Sequence, residues 1–150
     1  KGREPMPDFI KDLLAVQNPL TLKLALFVGA FLVAASSALV RRSVAQPLLT
    51  SIQNSAGIMH ATAAVTAFAG GGLLVAHFDF TSLTAGLVTL TAIWWAVEGL
   101  GLLAIGHKLK IDSASSVRTY ALTNIPALII GVILSVAGLL GLALPSELLK

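Results

Sequence analysis

Residues 83–105 read LTAGLVTLTAIWWAVEGLGLLAI, with Glu98 as the single charge in the run. Coiled as an α-helix at 1.5 Å of rise per residue, such a stretch is about 34 Å long, enough to cross ~30 Å of hydrocarbon. Three more stretches have the same character. Leu20 to Val40 carries only Lys23, close enough to its end for the amine to reach the interface. Residues 56–77 hold no acid, Lys or Arg, and residues 121–144 hold no charge at all. With no water in the bilayer core the backbone must satisfy itself, so each stretch is expected to be a helix; β-spans would read as shorter alternating segments. The expected fold is all-α, an integral membrane bundle of four transmembrane helices (20–40, 56–77, 83–105 and 121–144) in a single domain covering residues 1–150.

Composition agrees with this reading. The 150-residue chain is 56% hydrophobic and 11% charged, whereas soluble domains are roughly 25% charged. A soluble chain of this size buries only about two-thirds of its unfolded surface, so the excess apolar surface calls for an apolar solvent. The absence of cysteine excludes disulfides, thiolate metal sites and Cys nucleophiles. A net charge of +3, with basic residues at the ends of apolar runs, suits a membrane protein and does not suggest a nucleic-acid partner. The chain starts at Lys1 rather than Met, which leads to the expectation of a processed or trimmed chain without an intact signal peptide.

Local chemistry marks the boundaries. Asn18-Pro19 breaks any upstream helix, and Pro19 suits a first helical turn. Arg41-Arg42 marks the exit of the first span, and Pro47 is expected to start a helix running through Leu48, Leu49 and Ile52 into the second. The short link around Asp79 folds spans two and three into an antiparallel hairpin. Residues 106–120 read as a polar, basic link with Lys108, Lys110 and Arg118, and Pro126 is expected near the start of span four, where its missing N–H does little harm. Ahead of the first span, residues 7–17 place Phe9, Ile10, Leu13 and Leu14 on one helical face. They suit a short amphipathic helix at the membrane interface, or a terminus packed on a neighbouring subunit.

The count of Lys plus Arg is tied between the two sides of the membrane. The compact placement of the basic residues in loops 41–55 and 106–120 favours those loops as cytoplasmic, matrix or stromal, in a bacterial inner membrane or an organellar inner or thylakoid membrane. A weak likeness between Leu49-Thr50-Ser51-Ile52-Gln53-Asn54 and Ala121-Leu122-Thr123-Asn124-Ile125 allows an internal two-hairpin repeat.

Small residues recur at helical spacing: Ala30, Ala34 and Ala38; Ala63, Ala67 and Gly71; Gly131, Ser135 and Gly138. Such stripes let helix backbones approach closely, which stabilises packing in lipid. Gly70-Gly71-Gly72 also admits a reading as a hinge or unwound substrate site. Glu98 is the sharpest chemical feature, because an ionisable group deep in an apolar span costs roughly 2.5 kcal/mol or more and is expected to face protein or water. Counted from Asp79, His60 lies as far back along span two as Glu98 lies forward along span three, so the two are expected at one height. A His60–Glu98 contact would be a buried polar pair that fixes register, or part of a proton or ion pathway, with Trp94 and Trp95 as walls. Bis-His haem ligation needs two imidazoles at one depth. Neither His77 nor His107 matches His60, which leaves His60 as a single possible ligand to a cofactor.

No Ser-His-Asp spacing, His-Glu-x-x-His, P-loop or carboxylate pair is present, and the chain is expected not to be an enzyme. The leading expectation is a non-catalytic structural or accessory subunit of a respiratory, photosynthetic or transport assembly, with the lipid bilayer and other membrane subunits as partners. The alternatives are a small oligomeric transporter or proton/ion channel built on Glu98 and His60, and a membrane anchor. No resident cofactor or metal is expected, although the anchor reading would share a quinone, haem or chlorophyll with a partner.

Overall fold

The computed structural model of the chain describes residues 18–106 and 114–143. They form five helices in chain order: α1 (Pro19–Leu39), α2 (Arg42–Asn54), α3 (Ala56–Ala76), α4 (Leu83–Ile105) and α5 (Ala114–Ala143). Four segments are long and apolar enough to cross a membrane, namely α1, α3, α4 and the Val117–Gly141 portion of α5. No strand occurs among the described residues, and the fold is an all-α four-helix membrane bundle. The expected amphipathic helix over residues 7–17 and His107 lie outside the described residues.

Helix starts follow from side-chain caps. The Asn18 side chain accepts from the Leu20 N–H at 2.9 Å while Pro19 fills the first turn of α1. Ser55 and Ser82 accept from the N–H groups of Ile58 and Ala85 at the starts of α3 and α4. Each cap satisfies one of the four N–H groups that a helix leaves unpaired at its start.

Two expectations need correction. Residues 41–55 are not a basic loop, and no helix runs from Pro47 into the second span. Arg42–Asn54 is a helix of its own, amphipathic, closed by an extended Ser55 that then caps α3. It buries Ala45 and Leu49 against Val117 and Tyr120 of α5. The link before span four is likewise shorter than expected, because the polar residues from Ala114 onward already belong to α5. Pro126 therefore sits in the helix interior rather than near its start and offers no N–H to the Leu122 carbonyl. These differences remove the apparent repeat: residues 49–54 end a helix, whereas residues 121–125 lie inside one.

The spans pack as two intimate pairs, α1 with α5 and α3 with α4. Glycine allows both. A Cβ at Gly99 would overlap backbone atoms of Ala67 and Ala63, and one at Gly70 would overlap those of Ala96, Ala92 and Trp95. Across α1 and α5, a Cβ at Gly29 would fall 2.7 Å from Ser135 Oγ, one at Gly131 2.8 Å from Leu32 Cβ, and one at Gly138 2.7 Å from Leu26 Cβ. Close backbone approach of this kind drives association where lipid supplies no hydrophobic force.

The stripes are shifted from those expected. Ala63, Ala67, Gly131, Ser135 and Gly138 lie at the contacts, but the glycine of α3 that meets α4 is Gly70, while Gly71 has open space around it. In α1, Ala30 and Ala34 are exposed and Ala38 half-buried. The packed face instead carries Ala25, Val28, Gly29, Leu32 and Ser36, on the opposite side of the helix. Adjacent positions point about 100° apart, so a stripe chosen one residue off faces a different neighbour. Between the two pairs lies a core of Ala25, Val28, Leu32, Val88 and Leu134, bordered by Leu73 and Trp95. Phe31 and Trp95 meet edge to face there, with ring centroids 5.3 Å apart.

Candidate functional site

The α3–α4 contacts set the register on which the expected His60–Glu98 pair depends. Ala67 lies against Gly99, and Met59 against Gly106. Glu98 is therefore level with the region of Ala67, and His60 with the far end of α4. Seven residues separate those heights, about 10 Å of helix rise, so the two side chains do not stand at one depth. The counting from Asp79 fails because the link is not a symmetric turn. α3 ends at Ala76, His77 is extended, and the His77 ring and the Asp79 backbone both bond to Thr89 in the second turn of α4.

Each member has its own local surroundings. His60 is exposed, and its Nδ1 lies 2.8 Å from the Ala56 carbonyl one turn back. A carbonyl can only accept, so Nδ1 donates there. Glu98 is also exposed on the flank of α4. It accepts from the Trp94 indole N–H one turn earlier and stands within electrostatic reach of Tyr120 on α5. Asn124 donates to the Tyr120 carbonyl at 2.8 Å, with Thr123 bonded to the same oxygen at 2.8 Å.

The most completely buried polar group lies elsewhere, at the end of the bundle where α3 turns into α4. His77 is only 5% exposed, and Thr21, Thr84 and Thr89 are each 0% exposed. Thr21 of α1 meets His77 Nε2 at 2.9 Å, and Thr89 of α4 meets Nδ1 at 3.4 Å. The Thr89 oxygen also accepts from the Asp79 N–H at 3.1 Å and donates to the Asp79 carbonyl at 2.9 Å. Since the carbonyl can only accept and is the nearer group, it takes the one hydroxyl proton of Thr89. Toward His77 that oxygen is an acceptor, so Nδ1 donates to it, while Nε2 pairs with the Thr21 hydroxyl. Both ring nitrogens thereby have a partner, as a buried polar group needs. Its bond to Thr21 ties the α1–α5 pair to the α3–α4 hairpin.

Asp79 completes the link. Its carboxylate accepts from the Thr81 N–H at 2.8 Å, an Asx turn that reverses the chain before Ser82 caps α4. The Thr81 backbone N–H first, then the Thr81 hydroxyl, hold the Asp79 carboxyl below the usual aspartate value, with a smaller contribution from nearby His77.

Among the described residues no group of three or more His, Cys, Asp or Glu side chains gathers as a metal site would require. Comparison of the chain with protein-family models, curated proteins and solved structures finds no match. No motif in the sequence marks Thr21, Thr89 and His77 as a bonded group. The available signal was a histidine placed between the last apolar turn of a span and a short Asp-containing link. Its partner Thr21 lies 56 residues away, and such a separation has no local signature.

Proposed function

We propose that the chain acts as a non-catalytic subunit of a larger membrane assembly and meets its neighbour through the face that carries Glu98. The observation behind this reading is the position of that carboxyl. It lies about 10 Å inside the Ile105 end of α4, exposed, with Trp94 69% and Val97 63% exposed beside it. Lipid around an ionisable group at that depth costs roughly 2.5 kcal/mol or more. A neighbouring chain that offers a donor or a cation removes this cost, and an exposed indole beside the carboxyl supplies apolar contact area. The positive-inside tendency puts the end with Arg41, Arg42 and Arg118 on the cytoplasmic, matrix or stromal side of a bacterial inner membrane or an organellar inner or thylakoid membrane.

Mild-detergent extraction followed by native electrophoresis tests the reading. The chain is expected to migrate within a particle several times its own 15.5 kDa, and Glu98→Ala to release it. A wild-type chain that runs as a stable monomer or isolated homodimer would overturn the proposal. The transporter or channel alternative draws on the same exposed carboxyl. Proton or ion flux in proteoliposomes that disappears with Glu98→Gln would favour it over the subunit reading. The anchor alternative draws on the exposed His60 ring, and it requires a Soret or chlorin absorbance band in the intact assembly that His60→Ala removes.

A further inference from the structure

The described residues contain two acids, Asp79 and Glu98, against four bases, Lys23, Arg41, Arg42 and Arg118. Their placement is uneven. Asp79 lies in the link at one end of the bundle and Glu98 within a span, while Arg41, Arg42 and Arg118 gather at the other end, all three exposed. Arg41 and Arg42 open α2, and Arg118 follows Val117, which packs against Ala45 and Leu49 of the same helix. No carboxylate pairs with these guanidinium groups among the described residues. α2 also keeps apolar groups on its outer side: Val44 is 40% and Leu48 43% exposed, next to the buried anchors Ala45 and Leu49.

A helix set between two membrane spans, anchored on one side and apolar on part of the other, lies at the boundary between headgroups and acyl chains. There its guanidinium groups meet the phosphate layer, and planar forked donors suit phosphate oxygens. We propose that α2, with Arg41, Arg42 and Arg118, forms a docking surface for anionic phospholipid headgroups, and that Val44 and Leu48 enter the acyl region beneath them. Charge complementarity selects the partner, because among the described residues the surface offers three cations and no acid to a membrane leaflet. A soluble acidic protein would leave Val44 and Leu48 without an apolar surrounding. Each basic group near an anionic surface is worth roughly a fivefold preference, which falls as ionic strength rises. The inference is independent of what, if anything, contacts Glu98.

Thermal stability in lipid nanodiscs tests it. The full chain is placed in phosphatidylcholine alone and in phosphatidylcholine mixed with phosphatidylglycerol, at low and high salt. The expected result is a higher Tm in the mixture at low salt, a smaller gain at high salt, and little or no gain for R41Q/R42Q. R41K/R42K, which keeps the charge, is expected to retain most of the gain, and R118Q to lose part of it. A wild-type Tm indifferent to phosphatidylglycerol overturns the proposal, as does a full gain retained by R41Q/R42Q. An equal gain from inorganic phosphate in neutral nanodiscs would assign the surface to free phosphate and overturn it too. If R41Q/R42Q does not fold, R118Q and the salt dependence of the wild-type chain decide the outcome by the same criteria.

Discussion

A methyl group at Gly99 would have to occupy space already filled by the backbone of Ala67 and Ala63, and nothing flexible stands there to give way. Gly99→Ala therefore has to push α3 and α4 apart, and overpacking of this kind costs about 1–3 kcal/mol. One residue on from the packed Gly70, Gly71 has nothing within 4 Å of a built Cβ, and Gly71→Ala replaces glycine by a better helix former. Melting in a fixed detergent is expected to show a clear loss for Gly99→Ala and no loss for Gly71→Ala. A loss of equal size at both positions would remove the close α3–α4 approach from the account. Ser135 presents a different residue-scale problem. Its buried hydroxyl has no hydrogen-bond partner, so the cost of desolvating it is uncompensated. What Ser135 contributes at the α1–α5 crossing is small size, which places its backbone beside Gly29.

At the scale of elements, the informative piece is the segment from His77 to Ser82. It is too short to be a domain feature and too well bonded to be a slack connection. Thr89 holds both polar groups of the Asp79 backbone, while the Asp79 carboxylate holds the Thr81 N–H. Thr89→Val keeps the shape of the side chain but leaves the Asp79 N–H and carbonyl and His77 Nδ1 short of a partner. An unsatisfied buried group costs about 1–3 kcal/mol, so this variant is expected to melt well below the wild type, with Thr89→Ser intermediate. The Asp79 carboxyl adds a pH dependence whose sign follows from its lowered value. Its contribution is fully present above the ordinary value of 3.8 and is lost as pH falls below that through the lower folded value. Acid melting curves are expected to show this loss in the wild type and a flatter profile in Asp79→Asn. A steeper acid dependence in Asp79→Asn would contradict the assignment. α2 and α5 show the same dependence on context. Ser/Thr/Asn-rich stretches that read as links are helical here because Ala45 and Leu49 have Val117 and Tyr120 to pack against.

For the whole molecule, the question is which helices pair and at what height. The first span pairs with the last, and the second with the third, so the α1–α5 contact closes over most of the chain. The sequence has no cysteine, and engineered pairs therefore report without background. Leu26→Cys with Gly138→Cys places the two Cβ atoms at a facing contact, 2.7 Å apart before adjustment. Since a disulfide requires Cβ atoms about 3.5–4.5 Å apart, a small outward shift brings them into range. His60→Cys with Glu98→Cys separates the sulfurs by about 10 Å along the helices, beyond that range. Mild oxidation in membranes is expected to cross-link the first pair and leave the second as free thiols within one chain. The reverse pattern would restore the His60–Glu98 pair and reject the observed register.

Four spans, their approximate ends, and the helix start at Asn18-Pro19 belong to the sequence itself. Each depends on a local condition: about 20 apolar residues to cross hydrocarbon, or a proline suited to a first helical turn. A bilayer sharpens these conditions, because backbone groups in lipid have no water to fall back on. The pairing of α1 with α5, the choice of Gly70 over Gly71 and Gly29 over Ala30, the separation of His60 from Glu98, and the burial of His77 against Thr21 were decided by tertiary structure. Each depends on how far one helix slides or turns against another. A shift of one residue turns a side chain by about 100° and raises it 1.5 Å, which is enough to move it from a neighbouring helix to lipid. The apolar pattern of a membrane span is nearly the same all the way round, so it leaves that rotation open, and only the close fit of small residues and the His77 hydrogen bonds set it.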